Sequence, residues 1–174
     1  MNGNERRVEI LKELEHAKKP ISGTLLAKKM GVSRQVIVQD MALLRASDKN
    51  IISTTRGYLL YKEDVSKVKR AFVVRHTNEN IREELYSIVD CGGKMLDVSV
   101  FHNVYGMITV DLIIQNRREA DDFLQKMNKI NSEPLLTLTN GKHIHTIEAD
   151  NEEILDRIEQ VLRKQGFLVE ENND

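Results

Sequence analysis

Four of the chain's five histidines, His76, His102, His143 and His145, lie in its second half. His143 and His145 sit two residues apart in an alternating segment. On a strand, side chains at i and i+2 project to one face, roughly 7 Å apart. At that distance two imidazoles can share one metal ion. The spacing equally suits a polar pair facing water with Ile144 and Ile147 inward, and the residues leave both readings open. His76 ends a predicted strand over 71–76 and can join the pair if the two strands are neighbours. Glu84 falls at the margin of the apolar side of a helix marked by Ile81, Leu85 and Ile88. There a carboxylate can reach a pocket between helix and sheet, or simply pack its stem on the core. Three imidazoles and a carboxylate favour Zn, Ni, Cu or Fe over Mg or Ca. His102 and Tyr105 share a strand connection and either line the same pocket or belong to the loop.

Other chemistry is poorly represented. There is no Gly-rich phosphate loop, no Ser/His/Asp set, no cysteine pair and no pair of catalytic acids. Cys91, the one cysteine, precedes Gly92-Gly93 and reads as an inert helix-end residue. A single cysteine excludes an internal disulfide framework and suits a reducing cytoplasm.

The elements that must hold these residues can be read from periodicity. After the strand over 71–76, Thr77 or Asn78 caps a helix to about 90. Strands over 95–101 and 107–114 alternate and form an antiparallel pair. A helix over 117–131 buries Ala120, Phe123, Leu124, Met127 and Ile130. Segments 134–139 and 142–149 flank Asn140-Gly141, a strong hairpin signal. Asp150 or Asn151 caps a last helix burying Ile154, Ile158, Val161 and Leu162, and 167–169 reads as an edge strand. The result is an α+β domain over 71–174, an antiparallel sheet with helices on one side.

The first half has a different character. A helix over 5–17 turns Val8, Ile10, Leu11 and Leu14 inward. The stretch from Ile21 to Arg45 then reads as helix, tight turn, helix. Ser22 caps the first of these helices, whose apolar side is Leu25, Leu26 and Met30; Gly31 breaks it and Ser33 caps the second. Ile37, Met41 and Leu44 form a buried stripe on that second helix, leaving Arg34, Gln35, Val38 and Gln39 on other faces near its start. Residues so placed can enter a DNA major groove, although a helical hairpin can also merely pack. Two short strands within 51–61, with Arg56 at the turn, complete a winged helix over 1–61. The charged segment 62–70 reads as a linker.

Charge follows the same division. Residues 1–70 carry 15 Lys and Arg against 8 Asp and Glu, whereas residues 71–174 carry 11 against 19. The basic half suits phosphate binding and the acidic half does not. Arg34, Gln35 and Gln39 are candidates to face bases, with Val38 beside them; Ser33, Lys28, Lys29 and Arg56 are candidates to hold phosphates. No apolar run is long enough to span a membrane, and the polar start is no signal peptide.

With GVSRQVIVQDMALLR in the first half, and FVVRHT, REEL, SVFHNVYG and GKHIHTIEA in order in the second, the chain resembles the niacin-responsive transcriptional repressors. These join a biotin-repressor-type winged helix-turn-helix to a three-histidine domain. The resemblance covers essentially the whole chain, and the ordered histidine set is its specific part. It implies a dimeric, non-enzymatic repressor of niacin-transport and NAD-synthesis genes that binds operator DNA, with nicotinic acid as corepressor. It also places His76, Glu84, His143 and His145 on metal-ligand positions, for nickel or zinc. One departure is Val38-Gln39, where many related helices carry an aromatic-basic pair, so no base preference carries over. The alternatives are a regulator for which the metal itself is the signal, and a metal-dependent hydrolase tethered to DNA.

Overall fold

The structure is a computed structural model and describes residues 1–47 and 50–170. The chain forms two compact units, Met1–Glu63 and Asp64–Asp174, each with its own apolar core.

The first unit holds α1 (Gly3–His16), α2 (Gly23–Met30), α3 (Arg34–Ser47) and a hairpin of β1 (Ile51–Thr54) and β2 (Gly57–Leu60). Each helix starts where a polar side chain satisfies an end N–H. Asn2 and Glu5 form a reciprocal capping box on α1, Ser22 Oγ accepts from Leu25 N–H at 3.1 Å, and Ser33 Oγ accepts from Val36 N–H at 3.3 Å. Ile10, Leu14, Leu26, Met30, Ile37, Met41, Leu44 and Ile51 meet in the core. Val8 and Leu25, expected inward, are exposed, so the apolar sides of α1 and α2 are narrower than their periodicity indicates. Ile21 exchanges two main-chain hydrogen bonds with Tyr58, adding a one-residue strand to the wing. Gly57 permits this approach, because a Cβ there would lie 2.2 Å from the Ile21 carbonyl oxygen. Asp40 is buried on α3 and accepts from Arg6 at 2.6 Å and Arg7 at 3.1 Å, an ion-paired strut between α1 and α3.

The second unit runs β3 (Val68–Arg75), α4 (Ile81–Asp90), β4 (Lys94–His102), β5 (Gly106–Ile114), α5 (Arg117–Lys129), β6 (Lys142–Ala149) and α6 (Glu152–Lys164). Its sheet is antiparallel throughout, in the order β3-β6-β4-β5. Phe72, Val74, Met95 and Ile147 on the sheet pack with Leu85 and Ile88 of α4, Ala120 and Leu124 of α5, and Leu155, Ile158 and Leu162 of α6. Asn151 is the cap of α6, accepting from Ile154 N–H at 3.0 Å. The 167–169 segment does lie along β3, with Leu168 bridged to Val74.

The structure differs from the sequence reading at several points. β3 begins at Val68, inside the stretch read as linker, because its early residues pair with Glu148 and Ala149 at the end of β6. Segment 134–139 is not a strand: Leu135–Thr139 is a short 3-10 helix. The reason is topological. β6 is a central strand with both edges taken, by β3 and β4, so the chain before Asn140-Gly141 has no place beside it. A 3-10 turn over Asn78–Asn80 precedes α4, and Ile130, expected in the core, lies 66% exposed beyond the end of α5.

Candidate functional site

The central position of β6 brings the imidazoles together. His143 and His145 are buried on the face turned toward the helices, paired in register with Val74 and Phe72 of β3. Ile144 and Ile147 therefore lie on opposite faces, and the polar-pair alternative is corrected: the histidines go inward with Ile147. His76 follows the end of β3 and reaches the same place, held there by Gly141. A Cβ on Gly141 would come within 2.5 Å of the His76 carbonyl oxygen, so the Asn-Gly turn packs directly against His76. Glu84, on α4, is 1% exposed and faces the three rings.

One Glu84 oxygen, Oε2, is the point of convergence. It lies 2.8 Å from His76 Nε2, 3.4 Å from His145 Nε2 and 3.5 Å from His143 Nε2. His76, Glu84 and His143 offer donor atoms that all lie within 4.8 Å of one another. The His76 and His143 rings meet edge to face, as do those of His143 and His145. Each Nδ1 faces a main-chain carbonyl: Thr77 at 2.8 Å for His76, Gly141 at 2.8 Å for His143, Asp97 at 2.7 Å for His145. A carbonyl only accepts, so each Nδ1 donates to it, and the Glu84 carboxylate at 2.8 Å accepts in turn from His76 Nε2.

Burial opposes charge at His76, His145 and Glu84. The Glu84 carboxylate nonetheless holds His76 and His145 above the ordinary imidazole value of 6.5. The imidazoles in turn, His145 foremost by charge, hold Glu84 well below the ordinary 4.5.

Three convergent nitrogens, a carboxylate, and carbonyl partners behind every ring fit a transition-metal site. A second observation supports the fit: Glu84 Oε1 is buried and has no hydrogen-bond partner among the described residues.

A cavity of about 300 Å³ opens beside the cluster. Glu84, His143 and His145 line it, with apolar walls that include Leu85, Met95, Phe123, Met127 and Leu136. Its size is at the low end for a small-molecule site. Among the described residues no Lys or Arg lines it. His102 and Tyr105 are not among the residues that line it. They sit at the β4–β5 turn with rings 4.9 Å apart, and Tyr105 is 77% exposed. The His102 ring is used locally, accepting from the Val104 and Tyr105 N–H groups.

In the first unit Arg34, Gln35 and Gln39 are exposed on the first turns of α3, with Val38 half-buried beside them. Ser33 and Lys28 are exposed, and Arg56 lies at the β1–β2 turn. Lys29 is ion-paired with Glu13 of α1, which makes it a strut between helices as well as a surface cation.

A 3H-domain family model matches residues 69–171, and an HTH-domain model matches residues 6–59. The probable transcription repressor NiaR of Thermotoga maritima is 47% identical over 96% of this chain and 95% of its own length. The transcription repressor NadR of Bacillus subtilis is 38% identical over 97% and 96%. The chain belongs to the NiaR/NadR family of transcription repressors. This is the family that the ordered histidine motifs resemble. Both relatives carry names of repressors rather than enzymes, against the hydrolase alternative. Among the described residues no helix is long and apolar enough to cross a membrane.

Sequence reasoning missed Gly141 and Asp97 at the site and Asp40 in the reader unit. Gly141 was visible only as a turn signal. Asp97 and Asp40 look like ordinary polar positions, because what matters at each is a partner on another element.

Proposed function

We propose that this protein is a cytoplasmic, homodimeric repressor of niacin-transport and NAD-synthesis genes, with nicotinic acid as corepressor. The cavity beside the imidazole cluster carries this reading. It offers apolar walls to an aromatic ring and no side-chain cation to a carboxylate.

His76, Glu84, His143 and His145 would hold nickel or zinc. The bound ion would supply the positive charge and open coordination position that an anionic ligand needs there. The protein's own residues do the rest. Carbonyls of Thr77, Gly141 and Asp97 orient the rings, and Leu85, Phe123 and Met127 exclude water from the ring of the ligand. On α3, Arg34, Gln35 and Gln39 would read base edges beside Val38, while Ser33, Lys28, Lys29 and Arg56 contact phosphates. Two copies would set two such helices about one DNA turn apart on a near-palindrome. Nicotinic acid acts only insofar as it binds the DNA-competent arrangement more tightly.

The test is operator binding with metal, with nicotinic acid, and with both. Tightening only when both are present supports the proposal. Tightening with metal alone, indifferent to nicotinic acid, would make the metal the signal. Nicotinamide in place of the acid should have little effect, because it brings no charge.

A further inference from the structure

We propose that Asp97 is a positioning residue for His145. It acts through a β-bulge in β4 that turns the Asp97 carbonyl from the strand ladder to the imidazole. The first readout below rests on reading the cluster as a metal centre; the second does not.

The register shows the bulge. Lys94 and Met95 of β4 pair with Glu148 and Ile147 of β6, but Ser99 pairs with Ile144. Three β4 residues, 96 to 98, thus face two β6 residues, 145 and 146. On the other side of β4 a second bulge lies at the same level. Met95 pairs with Ile114 and Asp97 with Asp111, so Leu112 and Ile113 face Leu96 alone. Ile113 takes φ +51° to accommodate it, a left-handed conformation that a β-branched residue adopts only under constraint.

Two bonds of Asp97 go to consecutive residues of β6. Its carbonyl accepts from His145 Nδ1 at 2.7 Å, and its Oδ1 accepts from Thr146 N–H at 3.0 Å. The side chain therefore does the ladder's work at Thr146, and the carbonyl is left for the ring. Without the carboxylate the Thr146 N–H loses this partner, so this stretch of β6 has reason to seek another register.

His145 is the ring that needs such a device. His76 and His143 take their carbonyls from Thr77 and Gly141, one and two residues away along the chain. The partner of His145 is 48 residues away in sequence and is placed only by the sheet. Fixing the proton on Nδ1 fixes the lone pair on Nε2, the atom that faces Glu84.

The variants are Asp97→Ala, Asp97→Asn and, as a control on the same strand face, Ser99→Ala, which removes only the bond to Thr109. All are made in the full chain. Chelator competition with Ni²⁺ and Zn²⁺ gives the first readout. Asp97→Ala should bind about 10–100-fold more weakly, while Asp97→Asn, which keeps an Oδ1 acceptor, and Ser99→Ala stay within about threefold of wild type. The second readout is ¹⁵N NMR of the metal-free protein, followed with rising pH until the His145 signals show a neutral ring. Wild type and Asp97→Asn should show His145 protonated on Nδ1, and Asp97→Ala a mixture or the Nε2–H tautomer. If Asp97→Ala does not fold, Asp97→Ser, whose shorter arm does not reach Thr146, is read in the same way. Wild-type affinity and an unchanged tautomer in the variant without an acceptor would overturn the proposal. A wild-type chain that binds neither ion would instead overturn the metal centre, and the tautomer would still decide the role of Asp97.

Discussion

The two units of this chain hold their working residues in opposite ways. In the first, Arg34, Gln35 and Gln39 stand in solvent on a helix whose stability comes from Ile37, Met41 and Leu44 on another face. In the second, Glu84, His76, His143 and His145 lie within the layer between sheet and helices, where Leu85, Ile88 and Ile147 also lie. Reading DNA requires accessible groups on a rigid support. Holding an ion in a dry site requires polar groups inside the core, each satisfied by another. An exposed residue of α3 can change without disturbing the fold, whereas a buried member of the histidine–carboxylate cluster cannot. Folding stability is therefore the measurement on which the two units should part.

The largest loss is expected for His143→Ala with His145→Ala. It removes two partners of a buried carboxylate and should destabilise the second unit by about 3–5 kcal/mol. Elemental analysis of the purified double variant should show its metal content at background. A variant as stable as wild type and equally metal-rich would break the comparison, since it would make the cluster peripheral to both fold and ion.

Next comes Asp40, the exception within the reader unit. Its carboxylate is buried, and Arg6 and Arg7 compensate it from α1. Asp40→Ala leaves two partly exposed guanidiniums that water can still reach, so the loss should be smaller, about 1–3 kcal/mol by thermal or urea unfolding of the first unit. The expected order, with Asp40 between the histidine pair and the exposed residues, tests whether burial of the polar group sets the cost.

These two cases also show what the sequence could convey. Both helix caps of the reader hairpin, Ser22 and Ser33, are written in local spacing, and so is the stripe of α3, because each depends on residues within one or two turns. The β4–β5 hairpin and the order of the histidines were legible for the same reason. The inward face of β6 was not, because periodicity counts an imidazole as polar, and its burial is made tolerable by Glu84 from α4 and by the carbonyls of Gly141 and Asp97. Nor was the fate of 134–139. Its alternating Leu and Thr suit a strand, and only the occupation of both edges of β6 excludes one. Arg6, Arg7 and Asp40 look like three surface charges until α1 is laid against α3.

Acidity should separate the metal-free and metal-bound forms of the second unit. His76 and His145 are held above 6.5 in the fold, so their contribution is fully present below that pH and is lost as pH rises through the raised values. Glu84 is held below 4.5, so its contribution is present above that pH and is lost as pH falls through the lowered value. Between 4.5 and 6.5 both are present, and the melting temperature of the metal-free protein should decline on going from pH 6.5 into the alkaline range. On the proposed reading a metal ion would displace protons from the same rings, so the stabilisation it adds should grow with pH over that range. Melting curves from pH 5 to 9, with and without Ni²⁺, check both slopes. Parallel slopes would mean that the rings and the ion do not compete.

The smallest change in stability is expected at the reader surface, and here the comparison is sharpest. Gln39 is exposed on α3, and Gln39→Ala removes no described packing or hydrogen bond from the first unit. Its effect on unfolding should stay within about 0.5 kcal/mol, the range of an ordinary surface substitution. Its effect on operator affinity should be about 1–3 kcal/mol, roughly 5–150-fold, if the amide pairs with a base edge, and specificity should relax at one position only. Lys28→Ala, by contrast, should weaken binding to all sequences and reduce the salt dependence by about one ion. Gln39 and Lys28 thus give different signatures on DNA while remaining alike in stability. If Gln39→Ala behaves on DNA as Lys28→Ala does, α3 grips the duplex without reading it at this residue. If it unfolds the domain, its exposure is misleading, and the division between a readable surface and a functional core does not hold in the first unit.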